Sequence, residues 1–162
     1  MDFQIGDKVI HSIHGLGEVV QIEEKMVHDH VTSCYVVRTH NLTIWVPTDN
    51  GDQHSLRAPT SKGEFEKLFT VLHGPNEPLP EDRLERKRLL LELLKDGQLV
   101  SIFRVVRDLS SFSTNKKKLS DEDKAILERA INSLLAEWVY SFSVPIAQAR
   151  QKMGELLNMY PT

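Results

Sequence analysis

Residues 3–25 read FQIGDKVIHSIHGLGEVVQIEEK, and the alternation in this stretch decides the fold of the first third of the chain. Phe3 and Ile5 alternate ahead of a Gly6-Asp7 turn, and residues 8–10 are extended. Gly15-Leu16-Gly17 then reverses the chain, and residues 18–23 alternate, with Val19 and Ile22 as the apolar members. Working outward, residues 34–38 and 42–46 are two further β-branched and aromatic runs, the second ending at Pro47.

About five short strands with Gly-marked turns and no helical period predict a small SH3-like or Tudor-like β-barrel over residues 1–57. A barrel of this size has little room for an interior ligand, so its work falls to its rim and edge strands. Beyond residue 57 the period becomes helical. The expected fold class is therefore α+β, with a barrel followed by a compact all-α helical bundle over residues 58–162.

The composition, 40% apolar and 27% charged, is that of an ordinary globular protein. No apolar run approaches the roughly 20 residues of a membrane span, and no basic flank with an apolar core opens the chain. Neither membrane association nor export is expected. Cys34 is the only cysteine, which excludes disulfide and thiolate-zinc frameworks within one chain and makes a reducing cytoplasm the expected setting. A monomer is expected.

The net charge of −3 is unevenly distributed. Residues 1–82 carry 6 Lys and Arg against 13 Asp and Glu, whereas residues 83–118 carry 10 against 4. Such a basic block inside an acidic chain points to an anionic partner met at one place. A solvated helix face is the plainer explanation of the same composition.

Helix signals punctuate the second part. Residues 64–73 hold Phe65, Leu68, Phe69 and Leu72 at helical spacing and stop at Gly74-Pro75. A second helix opens after Pro78-Leu79-Pro80, with Glu81 and Asp82 favouring the dipole, and closes before Gly97. Residues 99–112 are apolar on most sides and predict a central helix. A polar loop over residues 110–118 ends in three lysines. Ser120, with Asp123 three positions on, predicts a capped long helix whose buried stripe is Leu127, Ile131, Leu134 and Trp138. Ser143-Val144-Pro145 starts a last helix expected to bury Ile146, Ala149, Met153 and Leu156.

The second helix is irregular. Arg83, Arg86 and Lys87 continue the inward stripe of Leu90 and Leu94 toward the N-terminus. Burying three cations in the core would cost several kcal/mol each. The first turns are therefore expected to project beyond the bundle as an exposed basic tip, with Glu81, Asp82 and Glu85 offsetting the unfavourable interaction of these cations with the helix dipole.

No enzyme constellation is present. Gly15-Leu16-Gly17 lacks the third glycine and following helix of a dinucleotide site, and there is no Walker loop or Gly-flanked Ser nucleophile. His28 with His30, and His11 with His14, lie near turns, but no cysteine or carboxylate joins them at ligand spacing, so neither metal nor cofactor is expected. Cys34 reads as a buried small hydrophobe. Trp45 alternates with Ile44 and Val46; if those two face the core, Trp45 faces out as a candidate partner anchor.

Five stretches, in order, carry a family resemblance: IGDKVIHSIHGLGEV, LTIWVPTDN followed by Leu56-Arg57, EPLPEDRLERKRLLLELLKDG, RVVRDLS and LSDEDKAIL. By these the chain resembles, along its whole length, the CarD/CdnL family of bacterial RNA polymerase-binding transcription regulators. The resemblance implies a barrel like the RNA polymerase-interacting domain of the transcription-repair coupling factor, docking on the lobe of the polymerase β subunit. It implies a helical domain that touches promoter DNA at the upstream edge of the bubble and stabilises the open complex.

Position by position, the polymerase contacts fall on Lys25 and on Trp45, which replaces a common Arg. DNA-facing positions fall on Arg86, Arg88 and Lys124. Where the family carries a Trp that wedges into the minor groove, this chain has Arg83, with Leu84 beside it; Lys87 of the basic tip completes the candidate set. An Arg reads a narrow groove or pairs with phosphate and does not wedge, so weaker open-complex stabilisation is expected. The alternative reading is an interaction module that binds polymerase or another partner without DNA contact.

Overall fold

Glycine lets the first two strands reverse tightly and lets the second approach the third closely. Gly15 takes a positive φ of 74° at the first turn. Gly17 lies so close to the next strand that an added Cβ would sit 2.8 Å from Val37 Cγ1. In the computed structural model, which describes residues 2–48, 55–114 and 118–158, the strands are β1 (Lys8–His11), β2 (Gly15–Val27), β3 (His30–Thr39), β4 (Thr43–Pro47) and β5 (Leu56–Arg57). They make one antiparallel sheet in the order β4-β3-β2-β1-β5.

Phe3, Val9, Val19, Tyr35, Val37 and Val46 fill the barrel core, with Ile44 and Leu56 packed against it. The Tyr35 hydroxyl accepts the Phe3 N–H at 3.0 Å, fastening the N-terminal segment. A register shift between Val19 and Gln21 marks a bulge in β2, which bends the long strand.

Two strands exceed the short lengths expected. β2 has 13 residues and β3 has 10, so their hairpin runs past the core and leaves Met26 and Val31 exposed as a facing pair. Its turn falls at His28 and Asp29, both at positive φ, as a type I′ hairpin requires.

The helical unit comprises α1 (Lys62–Lys67), α2 (Phe69–His73), α3 (Arg83–Lys95), α4 (Leu99–Thr114), α5 (Asp121–Phe142) and α6 (Ile146–Asn158). The chain divides into units Met1–Pro59 and Thr60–Thr162. The single helix expected over residues 64–73 is broken at Leu68, whose N–H turns to the Phe65 carbonyl at 3.0 Å. α4 runs beyond Phe112 to Thr114, overlapping the expected polar loop; Phe112 is buried and holds that end down. Asn115, Lys116 and Lys117 lie outside the described residues.

Ser120 caps α5 in a full capping box with Asp123. The buried face of α5 runs through Ile126, Ala130, Leu134, Leu135 and Trp138, while Leu127 and Ile131 are only partly buried. Ile146 of α6 is exposed, contrary to expectation, because it sits at the first position, ahead of the packed turn. The core centres on an aromatic group in which Phe65 meets Phe103, Trp138 and Phe142 at 5.2–5.6 Å between ring centroids. Among the described residues no helix is long and apolar enough to cross a membrane.

Candidate functional site

Strand alternation fixes the outer face of the barrel. Tyr35 pairs with Val46 and Val37 with Ile44, so the intervening Val36–Trp45 pair points away from the core. The Trp45 indole N–H donates to Glu23 Oε1 at 2.6 Å, and Glu23 lies on β2, two strands away. That bond spans β3, the strand between the two. Cys34 and Val36 are 1% and 6% exposed, and neither belongs to the barrel core. Cys34 is thus buried as expected, outside the barrel core.

Lys25 completes the arrangement. Its ammonium stands 4.3 Å from the Trp45 ring centroid, a cation–π contact. Trp45 remains 42% exposed. The two residues assigned to one contact by position are therefore brought together on one face. The indole is held by Glu23 before any partner arrives, which lowers the entropic cost of using it as an anchor. Glu23 was not singled out from the sequence; its place opposite Cys34, which pairs with Pro47 of β4, becomes apparent only from the strand register.

In the helical unit the expected exposed basic tip is corrected at Arg86. This residue is 2% exposed, and its guanidinium forms a two-point pair with Asp123, Nε to Oδ1 at 2.9 Å and Nη2 to Oδ2 at 2.7 Å. Nη1 donates to the Pro80 and Glu81 carbonyls, and the guanidinium carbon stands 4.6 Å from the Phe112 ring centroid. The hydrogen bond to Asp123 raises the Arg86 pKa, outweighing burial. Burial pushes the Asp123 carboxyl up, but hydrogen bonds from Arg86 and Ser120 and the Arg86 charge leave it below the ordinary range. Arg86 thus ties the start of α3 to the first turn of α5.

The other candidate positions separate cleanly. Arg83, Arg88 and Lys124 are exposed, and Lys87 is half-buried with its ammonium 3.3 Å from Glu122. Leu84, in the first turn of α3, is 70% exposed, the most exposed of the large hydrophobic residues described. Arg83 and Lys124 line one cleft; Arg88 lies on the same helix as Arg83, five residues further on.

His11 and His14 stack at 5.0 Å, but His11 Nδ1 accepts the backbone N–H groups of Ile13 and His14 and is therefore committed to the turn. Among the described residues no group of three or more His, Cys, Asp or Glu side chains is placed to hold a metal ion.

An antiparallel barrel with a preset aromatic–cation face, followed by a helical bundle, is the architecture to which the family matches apply. Residues 3–59 match the family model described as the CarD-like/TRCF RID domain, and residues 67–154 match that of the CarD C-terminal domain. The chain belongs to the CarD family: it is a non-enzymatic, transcription-related, RNA polymerase-interacting protein. It is also 28% identical over 138 residues to the putative transcription factor YdeB of Bacillus subtilis (strain 168), spanning 83% of this chain and 89% of that protein.

Proposed function

We propose that the barrel binds the polymerase β subunit through the Trp45–Lys25 face while the helical domain contacts promoter DNA near the upstream edge of the bubble. The observation that carries this reading is the convergence of Trp45, Lys25 and Glu23 on the outer face at β4, one of the two edge strands described. A half-exposed, prepositioned indole flanked by a cation fits a partner surface that offers an apolar recess beside a carboxylate. The exposed cations Arg83, Arg88 and Lys124, with Leu84 at the tip of α3, support the DNA contact.

The proposed outcome is modulation of open-complex stability. Arg83 serves phosphate or a narrow groove, and Leu84 is the apolar side chain available to press on a base step. The protein is expected to act as a monomer in the cytoplasm. Pull-down by an isolated β-subunit lobe tests the first half, and a salt-dependent shift of polymerase–promoter complexes tests the second. Lobe binding without any change in salt dependence would leave a polymerase-binding module that does not touch DNA.

A further inference from the structure

The outer face of the barrel is laid out in rows across the sheet. Gln21, Val36 and Trp45 stand opposite one another in one row, Glu23, Cys34 and Pro47 in the next, and Lys25 with Thr32 in the row after that. Gln21 is therefore the β2 side chain level with Trp45. The indole N–H donates instead to Glu23, one row on, at 2.6 Å, and the Lys25 ammonium, two rows on, stands 4.3 Å from the ring centroid. The indole and these two side chains lean toward one another along the sheet. A cation–π contact tolerates rotation of the ring beneath the charge, whereas a hydrogen bond of this length is directional and sets the ring's orientation.

By its charge, Glu23 is out of place on this face. The partner that suits a half-exposed indole beside a cation presents an apolar recess beside a carboxylate, and a carboxylate on the barrel repels it. Glu23 is only half-buried and is not among the residues of the barrel core, so folding does not account for it either. What it does provide is an acceptor for Trp45. An exposed Trp on a strand samples several rotamers, and holding one of them in advance removes that ordering cost from docking.

We propose that Glu23 is a positioning residue for polymerase recognition: it acts on the partner only through Trp45, holding the indole in its docking orientation. Its acceptor oxygen favours binding and its charge opposes it. The proposal rests on the reading that the Trp45–Lys25 face meets the β subunit.

Substitution separates the two contributions, because Glu23→Gln keeps the acceptor without the charge and Glu23→Ala removes both. Calorimetry of the full chain with an isolated β-subunit lobe should show Glu23→Ala weakened roughly three- to tenfold, the effect of freeing one side chain before docking. Glu23→Gln should bind at least as tightly as wild type at low salt. In a Trp45→Ala background, Glu23→Ala should bring no further loss. Without a partner, the two indole N–H signals of the amide NMR spectrum belong to Trp45 and Trp138. The Trp45 signal should shift and its heteronuclear NOE fall in Glu23→Ala and hold in Glu23→Gln, with the buried Trp138 as the reference. Unchanged lobe affinity in Glu23→Ala, where Trp45→Ala binds weakly, overturns the proposal. So does a Trp45 signal that Glu23→Ala leaves in place. Equal losses in Glu23→Gln and Glu23→Ala, or a further loss in the Trp45→Ala background, would place Glu23 in direct contact with the partner and overturn it as well. Wild-type affinity in Trp45→Ala alone is the separate outcome that fells the polymerase reading, and the proposal with it.

Discussion

Arg86 shows how one residue can be placed by its helix and explained only by another helix. Its spacing from Leu90 and Leu94 puts it on the inward stripe, which is readable in the sequence. What the sequence withholds is Asp123, 37 positions away, which serves the α5 capping box and the Arg86 pair together. Removing one partner of a buried pair strands the other, so Arg86→Ala should cost about 3–5 kcal/mol by chemical denaturation. The same pair sets an acid limit. Because the folded Asp123 carboxyl titrates below its unfolded value, its contribution is complete above that unfolded value, about pH 3.9. It is lost as pH falls further, through the folded pKa. The stability gap between wild type and Asp123→Asn, followed by thermal melting, should therefore be constant near neutrality and close below about pH 4. A gap that persists unchanged to the lowest pH at which both fold would contradict the pairing.

At the scale of the element, the start of α3 separates into a buried anchor and an exposed edge. Arg83, Leu84 and Arg88 remain outside while Arg86 is drawn in. Arg88→Ala with Lys124→Ala should lower the salt slope of polymerase–promoter binding by about one for each phosphate no longer neutralised. An unchanged slope would make both residues ordinary solvated charges. Arg83→Trp should lengthen open-complex lifetime on a linear promoter under competitor DNA, since stacking an indole on an unstacked step contributes about 1–3 kcal/mol. The substitution should leave β-lobe affinity unaltered, and a lifetime no longer than wild type would assign the wedge's work to Leu84. Elements of this kind were largely legible in the sequence: the Ser120 cap, the Gly15 turn and the apolar run of α4 are local signals, and each appears where expected. The break at Leu68 and the extension of α4 to Thr114 were not, because tertiary packing of Phe65 and Phe112 decides them.

For the whole molecule, the chain divides into two structural units, Met1–Pro59 and Thr60–Thr162, with two separable tasks proposed for them. The outward side of Trp45 could be read from alternation, but its bond to Glu23 and its approach to Lys25 depend on a three-strand register that no local pattern encodes. That arrangement carries the central claim, polymerase binding through the outer face of the barrel. The direct measurement is the affinity of the full chain for an isolated β-subunit lobe, by calorimetry, for wild type, Trp45→Ala and Lys25→Glu, with folding checked by circular dichroism. Truncating a central aromatic anchor costs about 2 kcal/mol or more, so Trp45→Ala should bind at least tenfold more weakly, and Lys25→Glu should also bind less tightly, increasingly so at low salt. Wild-type affinity in folded Trp45→Ala would contradict polymerase binding through this face.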